Sequence, residues 1–350
     1  MQTAISVGGP EAGINRDFEK IANFAVEAEK LGVDQAWSAE AWGFDAVTTL
    51  AYLAARTPRM TLGTGIMQIS ARTPSMTAMT ALSLAQLSGN RFVLGLGASG
   101  PQVVEGLHGQ SFRKPLTRLR EVIEIVRKAC RGQRLTLEGE HYVLPRPGGE
   151  GKALRLSLPR NPDLPIYLAT LSPRGLEMTG ELADGWLGAC FTPEHAEAHL
   201  AHLRRGAEQA GRSLADLTLC IGGSVAITDD PEPLIRAAKP FFAFMLGAMG
   251  SAKTNFYNDA YRRSGFEDAA REVQGLWLEG KPRKAAQAVP DALIERSNLI
   301  GPESFVRERI RAYRELGIGI LRFTPAGETD TERLDTLGRL VELVREEAPE

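Results

Sequence analysis

Cysteine is scarce in this chain, with three in 350 residues: Cys130, Cys190 and Cys220, far apart and outside any C-x-x-C pairing. An odd, scattered set builds neither a disulfide framework nor a cysteine zinc site, and a reducing cytoplasm is the expected compartment. No sign of charge predominates either. Lys plus Arg number 41 against 43 for Asp plus Glu, for a net charge of -2, and no Lys/Arg block occurs. That excludes a phosphate-backbone footprint or a polybasic anchor, so neither nucleic acid nor membrane is an expected partner. Long apolar runs are missing as well. The longest, Phe241 to Met249, is broken by Gly247 and falls short of the roughly 18 to 20 residues of a membrane span. The opening MQTAISVGGPEAG has no basic n-region and no apolar h-region, so it reads as a first strand and not as a secretory signal. What is present, 43% hydrophobic and 24% charged residues, suits a soluble globule with a sizeable core. The length admits one large α/β barrel or two ordinary domains.

One joint recurs along the chain: an amphipathic helix ends at Gly or an Asx-Gly turn and a short β-rich run follows at once. It appears at Leu31-Gly32-Val33, Gly89-Asn90-Arg91, Asp184-Gly185-Trp186 and Leu316-Gly317-Ile318. Gly suits the place because the residue after a helix often takes the left-handed conformation. Between Asp17 and Leu31, Phe18, Ile21, Ala22, Ala25 and Ala28 form one apolar stripe that Asn15 can cap. Runs starting near Val33, Met60 and Arg91 are spaced by about thirty residues, the length of a β-loop-α unit. Further runs at Ile166 to Thr170, Trp186 to Ala189, Leu217 to Ala226 and Ile318 to Phe323, with Ala4 to Val7, bring the count to eight, the number of a (β/α)8 TIM barrel. The expected organisation is a single α/β barrel domain over 1–350. It carries two insertions, a hairpin at about 134–158 and a mostly helical segment at about 240–300.

Gly63-Thr64-Gly65-Ile66 and Gly95-Leu96-Gly97-Ala98-Ser99-Gly100 each end a strand. In a barrel the C-terminal rim carries the site, and small residues there either make tight turns or leave room for a flat ring; the pair on neighbouring strands favours a shared cleft. The second run satisfies G-x-G-x-x-G. Three units precede it, however, and Glu105 and Glu121 are not at a strand end, which argues against a dinucleotide-binding fold. Leu168 to Gly175 passes from strand to helix through Ser172, Pro173 and Gly175. It is either a plain Ser cap with Pro after it or an anion site to which Ser172 and Arg174 add donors. His195, His199 and His202 have helical spacing but no H-E-x-x-H pattern and no fourth ligand, so a solvated helix face is expected and no metal. Gly247 to Thr254 has the wrong spacing for a phosphate-loop lysine, and no G-x-S-x-G elbow is present.

Three stretches then carry a resemblance: Trp37-Ser38-Ala39-Glu40-Ala41-Trp42-Gly43-Phe44-Asp45-Ala46, Leu62-Gly63-Thr64-Gly65-Ile66-Met67-Gln68, and Ser88 to Gly97. They resemble the bacterial luciferase-like monooxygenase superfamily, and Ser99 to Gly109 is similar to its branch of oxidoreductases dependent on the deazaflavin coenzyme F420. The resemblance implies a (β/α)8 barrel binding a flavin-like ring at its C-terminal rim, with a non-prolyl cis peptide at Gly65-Ile66 behind the ring. It also implies cofactor contacts from Gly65, Ile66, Met67, Gly97, Ser99, Gln102 and Val103, and a phosphate loop of Thr170, Ser172, Pro173, Arg174 and Gly175. Glu40 matches the acid at the end of the second strand. Where the sugar-phosphate dehydrogenases of the superfamily have an Asp-His pair, this chain has Glu40-Ala41, and the acid expected near the fourth strand falls on Pro101, leaving Glu105 nearest.

The expected function is hydride transfer between F420 and a small organic substrate, by a homodimer. Glu40, Glu105 and His108 are the candidates to orient the ring or exchange the proton, each with an ordinary structural hydrogen bond as the alternative. Trp42 and Phe44 either wall the pocket or pack a loop. Phe241, Phe242, Phe244 and Met245 either line a substrate pocket or pack helices. An FMN-dependent monooxygenase or reductase is the alternative on the same fold; a non-enzymatic ligand-binding barrel is the second.

Overall fold

The computed structural model describes residues 1–8, 17–250 and 254–348. The barrel strands are β1 (Gln2–Val7), β2 (Gln35–Ser38), β3 (Thr61–Thr64), β4 (Phe92–Gly97), β5 (Ile166–Leu168), β6 (Gly185–Gly188), β7 (Thr218–Ile227) and β8 (Ile318–Pro325). Each pairs in parallel with the next, and β8 closes on β1 with Gln2 opposite Ile320. Helices α1 (Phe18–Leu31), α2 (Ala46–Arg56), α3 (Pro74–Leu87), α4 (Pro115–Cys130), α5 (Pro173–Leu182) and α6 (Glu197–Gln209) follow the first six strands. This is the (β/α)8 barrel that the repeat spacing implies. No helix among the described residues is long and apolar enough to cross a membrane.

The α1 stripe forms as the periodicity requires: Ile21, Ala22, Ala25 and Ala28 are buried, and Gly32 ends the helix at φ 96°. The cap is Asp17, whose carboxylate accepts from the Glu19 N–H at 2.9 Å, while Asn15 lies outside the described residues. Gly185 departs from the joint rule, because α5 ends at Leu182 with Ala183 as its cap and Gly185 already belongs to β6. A Cβ there would stand 2.7 Å from both the Thr218 carbonyl and the Tyr167 ring, so close approach, not a left-handed turn, demands glycine.

Inside the ring, Ala4, Trp37, Val93, Tyr167, Leu187, Cys220 and Ile320 make a packed floor, with Ile66 and Ala169 above it. Gly63 exists for Trp37: a Cβ would lie 2.4 Å from the indole. Trp37 in turn donates its Nε1–H to Gln35 at 2.9 Å, as a buried indole should. The floor blocks the barrel and leaves its C-terminal mouth as the recess above.

The hairpin expected at 134–158 reduces to a short ladder, Leu137–Glu138 against Val143–Leu144. Buried Glu121 of α4 holds it by accepting the N–H groups of Glu140, His141 and Tyr142 at 2.7 to 3.0 Å. The helical insertion opens ahead of Pro240. Helices α7 (Glu232–Ala248), α8 (Phe256–Tyr261), α9 (Glu267–Leu278), α10 (Pro282–Gln287) and α11 (Asp291–Ser297) compose it, and Pro240 lies within α7. A proline inside a helix forfeits a hydrogen bond, and burial of Phe242, Ala243 and Leu246 on the same helix offsets that loss. These residues join Tyr261, Phe266, Leu293 and Ile294 in a second core that reaches Cys190 and Ala226 of the barrel. The strand Leu299–Gly301 then pairs with the end of β7, before α12 (Glu303–Glu315), β8 and α13 (Asp330–Glu346).

Candidate active site

The residues that gather at the mouth come from the ends of β2 and β3 and the loop after β4. Glu40 is buried two residues beyond β2, and both its oxygens accept from the Arg72 guanidinium, each at 2.7 Å. That bidentate carboxylate holds Arg72 more firmly protonated than an ordinary arginine. The Glu40 N–H donates to the Ile66 carbonyl at 2.9 Å, and the Gln68 N–H approaches the Glu40 carboxylate at 3.4 Å. The chain after β3 is thus tied to the end of β2 around the Gly65-Ile66 peptide, which is cis. Gln68 is itself buried, and its side-chain N–H donates to His108 Nε2 at 2.8 Å. With Nε2 accepting, the neutral imidazole carries its proton on Nδ1. Glu40 and His108 are therefore brought into one group, linked through Gln68.

Glu105 is not. It is exposed, and its carboxylate accepts from the Phe112 N–H at 3.1 Å, pinning the loop that contains it. Phe44 packs on Phe18 with ring centroids 4.4 Å apart, whereas Trp42 stands 58% exposed at the rim. Met67 is fully buried in the core between sheet and helices, which takes its side chain away from the mouth. Ile66 lies over Gly97, where a Cβ would meet its Cδ1 at 2.5 Å. Gly95 similarly admits Thr64, whose hydroxyl bridges the Gly95 N–H and carbonyl at 2.8 Å each. The glycines of the two motifs thus make room chiefly for neighbouring strands, and Ile66 is the apolar surface they leave at the mouth. Ser99 takes φ 58°, Val103 is buried, and Gln102 reaches the Gly250 carbonyl at 2.5 Å, latching the loop after β4 to the end of α7.

At the end of β5 the Ser cap is realised: Ser172 Oγ accepts from the Gly175 N–H at 3.2 Å and Pro173 opens α5. Thr170 is turned inward, its hydroxyl 2.7 Å from that of Thr179, so it braces the turn and offers no hydroxyl to a ligand. Gly175 fits because a Cβ would crowd Ser172 Oγ at 3.0 Å. Arg174 stays exposed with no partner among the described residues. From the insertion, Arg263 donates to the Leu171 carbonyl at 2.6 Å, a cation beside this loop that no local motif announced; burial makes it easier to deprotonate than usual. Arg322 of β8 also reaches the mouth, its terminal nitrogen 2.7 Å from where a Cβ on Gly65 would be. That residue had a sequence signal, since it is the lone charge in the run Ile318 to Phe323.

The histidine series does not form a solvated face. His195 belongs to a separate turn before α6; His202 meets Glu177 at 3.2 Å; His199 is wholly buried against Trp186 and Phe191. Burial pushes the His199 imidazole down to about 3. No cluster of three potential metal-ligating side chains occurs among the described residues. The apolar run of α7 is mostly internal packing: Phe242 is buried and Phe244 stacks edge-on against Trp277, although Phe241 remains 49% exposed.

The model of the luciferase-like monooxygenase family matches residues 2–319. A Mycobacterium tuberculosis protein whose name assigns it provisionally to the coenzyme F420-dependent oxidoreductases is 41% identical over 320 residues, covering 89% of this chain and 92% of that one. A 5,10-methylenetetrahydromethanopterin reductase of Methanolobus tindarius is 28% identical, over 91% of this chain and 94% of its own. The same fold appears in the solved F420-dependent tetrahydromethanopterin reductase of Methanopyrus kandleri, with TM-score 0.78, 23% identity and 97% of each chain covered. An F420-dependent secondary alcohol dehydrogenase solved with an F420-acetone adduct superposes with TM-score 0.77 at 16% identity, over 98% of this chain and 99% of that one. A barrel whose mouth is built from the ends of β2 to β5, matched across nearly its whole length, places this chain in the luciferase-like monooxygenase family.

Proposed function

We propose that this protein is an oxidoreductase that uses coenzyme F420 to exchange a hydride with a small organic molecule held in the barrel mouth. The observation that carries the reading is the linked group Arg72, Glu40, Gln68 and His108 around Gly65-Ile66, in a chain 41% identical to a relative named for F420-dependent oxidoreduction. The residues suit such a cofactor. Ile66 offers an apolar platform, and Arg174, Ser172 and the start of α5 offer donors for a phosphate. When bound, the deazaflavin supplies the hydride chemistry. The chain itself would do the rest. Ile66 and the loop of Ser99 and Gln102 would flank the ring, Trp42 would shield the rim, and Arg263 brings the insertion next to Leu171. With Nε2 held by the Gln68 amide, His108 Nδ1–H is the ring group left to give a proton at the substrate and regain it. Glu40, fixed by its carboxylate pair with Arg72, supports the Ile66 carbonyl with its own backbone N–H, a positioning role.

Fluorescence titration of the purified protein with F420 and with FMN tests this. Binding of F420 and not FMN is expected. Binding of FMN alone would move the protein to the flavin monooxygenase or reductase class, and binding of neither would leave a ligand-binding barrel.

A further inference from the structure

Arg322 has no function in that scheme, yet its surroundings are shaped for it. It follows Ile320 by two positions on β8, so it shares the inward face of the strand and rises from the packed floor into the mouth. Strands β1 and β2 separate β8 from β3 in the ring, yet the guanidinium reaches the Gly65-Ile66 turn. A Cβ on Gly65 would be 2.7 Å from one terminal nitrogen; a Cβ on Gly222 of β7 would first meet the Arg322 backbone carbonyl at 2.7 Å and then Nε at 3.3 Å. Gly65, in the turn after β3, thus admits the guanidinium. Among the described residues its side chain makes no hydrogen bond and no ion pair. Its nitrogens are unpartnered but not sealed from solvent, so they are open to an oxygen acceptor that enters the mouth, and a guanidinium, all donors, takes only an acceptor.

We propose that Arg322 recognises an anionic or carbonyl oxygen of the molecule that lies over Gly65-Ile66. Two sources present that chemistry: the pyrimidine edge of a reduced deazaflavin, whose negative charge a nearby cation stabilises, and the carboxylate or carbonyl of the substrate. Only the first source rests on the F420 reading.

The test compares wild type with Arg322→Met and Arg322→Gln. Oxidised and reduced F420 are titrated by absorbance and fluorescence, and acetate is titrated by thermal stabilisation of the protein with and without F420. A loss of about 10- to 100-fold in affinity for reduced F420, larger than for oxidised F420, identifies the ring as the source. Unchanged F420 affinities with loss of acetate stabilisation identify the substrate as the source. Wild-type behaviour of both variants in both titrations overturns the proposal. If neither neutral variant folds, Arg322→Lys, which keeps charge but not the fork, is expected to show a smaller loss in the same titrations; no loss overturns the proposal. Wild-type protein that fails to bind F420 refutes the cofactor reading. Acetate stabilisation present in that protein and absent from Arg322→Met still supports Arg322.

Discussion

Replacing Arg72 by Met removes one half of a buried ion pair, and the structure allows the cost to be worked out. The Glu40 side chain is 6% exposed and that of Arg72 19%, with both bonds at 2.7 Å. Without Arg72 the carboxylate keeps only the Ala46 and Gln68 N–H groups, each at 3.4 Å, too distant to compensate a buried charge. Removing one partner of a buried pair costs roughly 3 to 5 kcal/mol, and because water reaches part of Arg72 we expect about 3 kcal/mol. With about 2.1 cal/mol/K of unfolding entropy per residue, that is a fall of about 4 °C in Tm for a chain of this length. Glu40→Gln leaves a neutral amide beside Arg72 and should cost less, about 1 to 2 kcal/mol. The double variant, with no charge left to bury, should be more stable than Arg72→Met alone by about 1 to 2 kcal/mol. Equilibrium urea unfolding of the four proteins, followed by two optical probes, measures the cycle. An Arg72→Met loss under about 0.5 kcal/mol, or a double variant as unstable as the sum of the singles, would refute the reasoning.

Glu105→Ala should leave F420 affinity within about twofold, since its carboxylate is exposed and serves the Phe112 N–H; titration checks it, and a tenfold loss would restore Glu105 to the site. His199, neutral when folded at about 3 against 6.5 unfolded, makes stability complete above pH 6.5 and erodes it as pH falls towards 3. Between pH 7 and 5 this one group should cost about 2 kcal/mol, and His199→Leu should flatten that part of the urea-midpoint profile relative to wild type. Glu121→Ala strips three backbone N–H groups of their acceptor, so limited proteolysis should cut within 137–144 first, at a global cost of about 2 to 3 kcal/mol. Wild-type cleavage kinetics would show that the hairpin is held by other contacts.

The repeat of strand and helix was legible because a parallel strand covered by helices must be short and apolar, and because helix ends expose themselves through Gly32, Gly89 and Gly317, all at positive φ. The same reasoning misjudged Gly185, whose demand for glycine comes from Thr218 and Tyr167. It also misjudged the histidine face, where the side of α6 that turns inward is decided by the barrel beneath it. The two rim motifs and Glu40 could be seen as one-dimensional patterns. Which of their side chains meet could not.

By itself, the sequence determined the class of protein: its periodicity, its turn residues and the wording of its rim motifs are local properties, set by dihedral preferences and by which face of an element is apolar. Only the tertiary structure decided the site. Arg72 reaches Glu40 across 32 residues, Gln68 reaches His108 across 40, and Arg263 reaches Leu171 across 92. Arg322 comes to Gly65 from the last strand of the ring. Such contacts arise when barrel closure brings the strand ends to one mouth, so no window along the chain contains both partners.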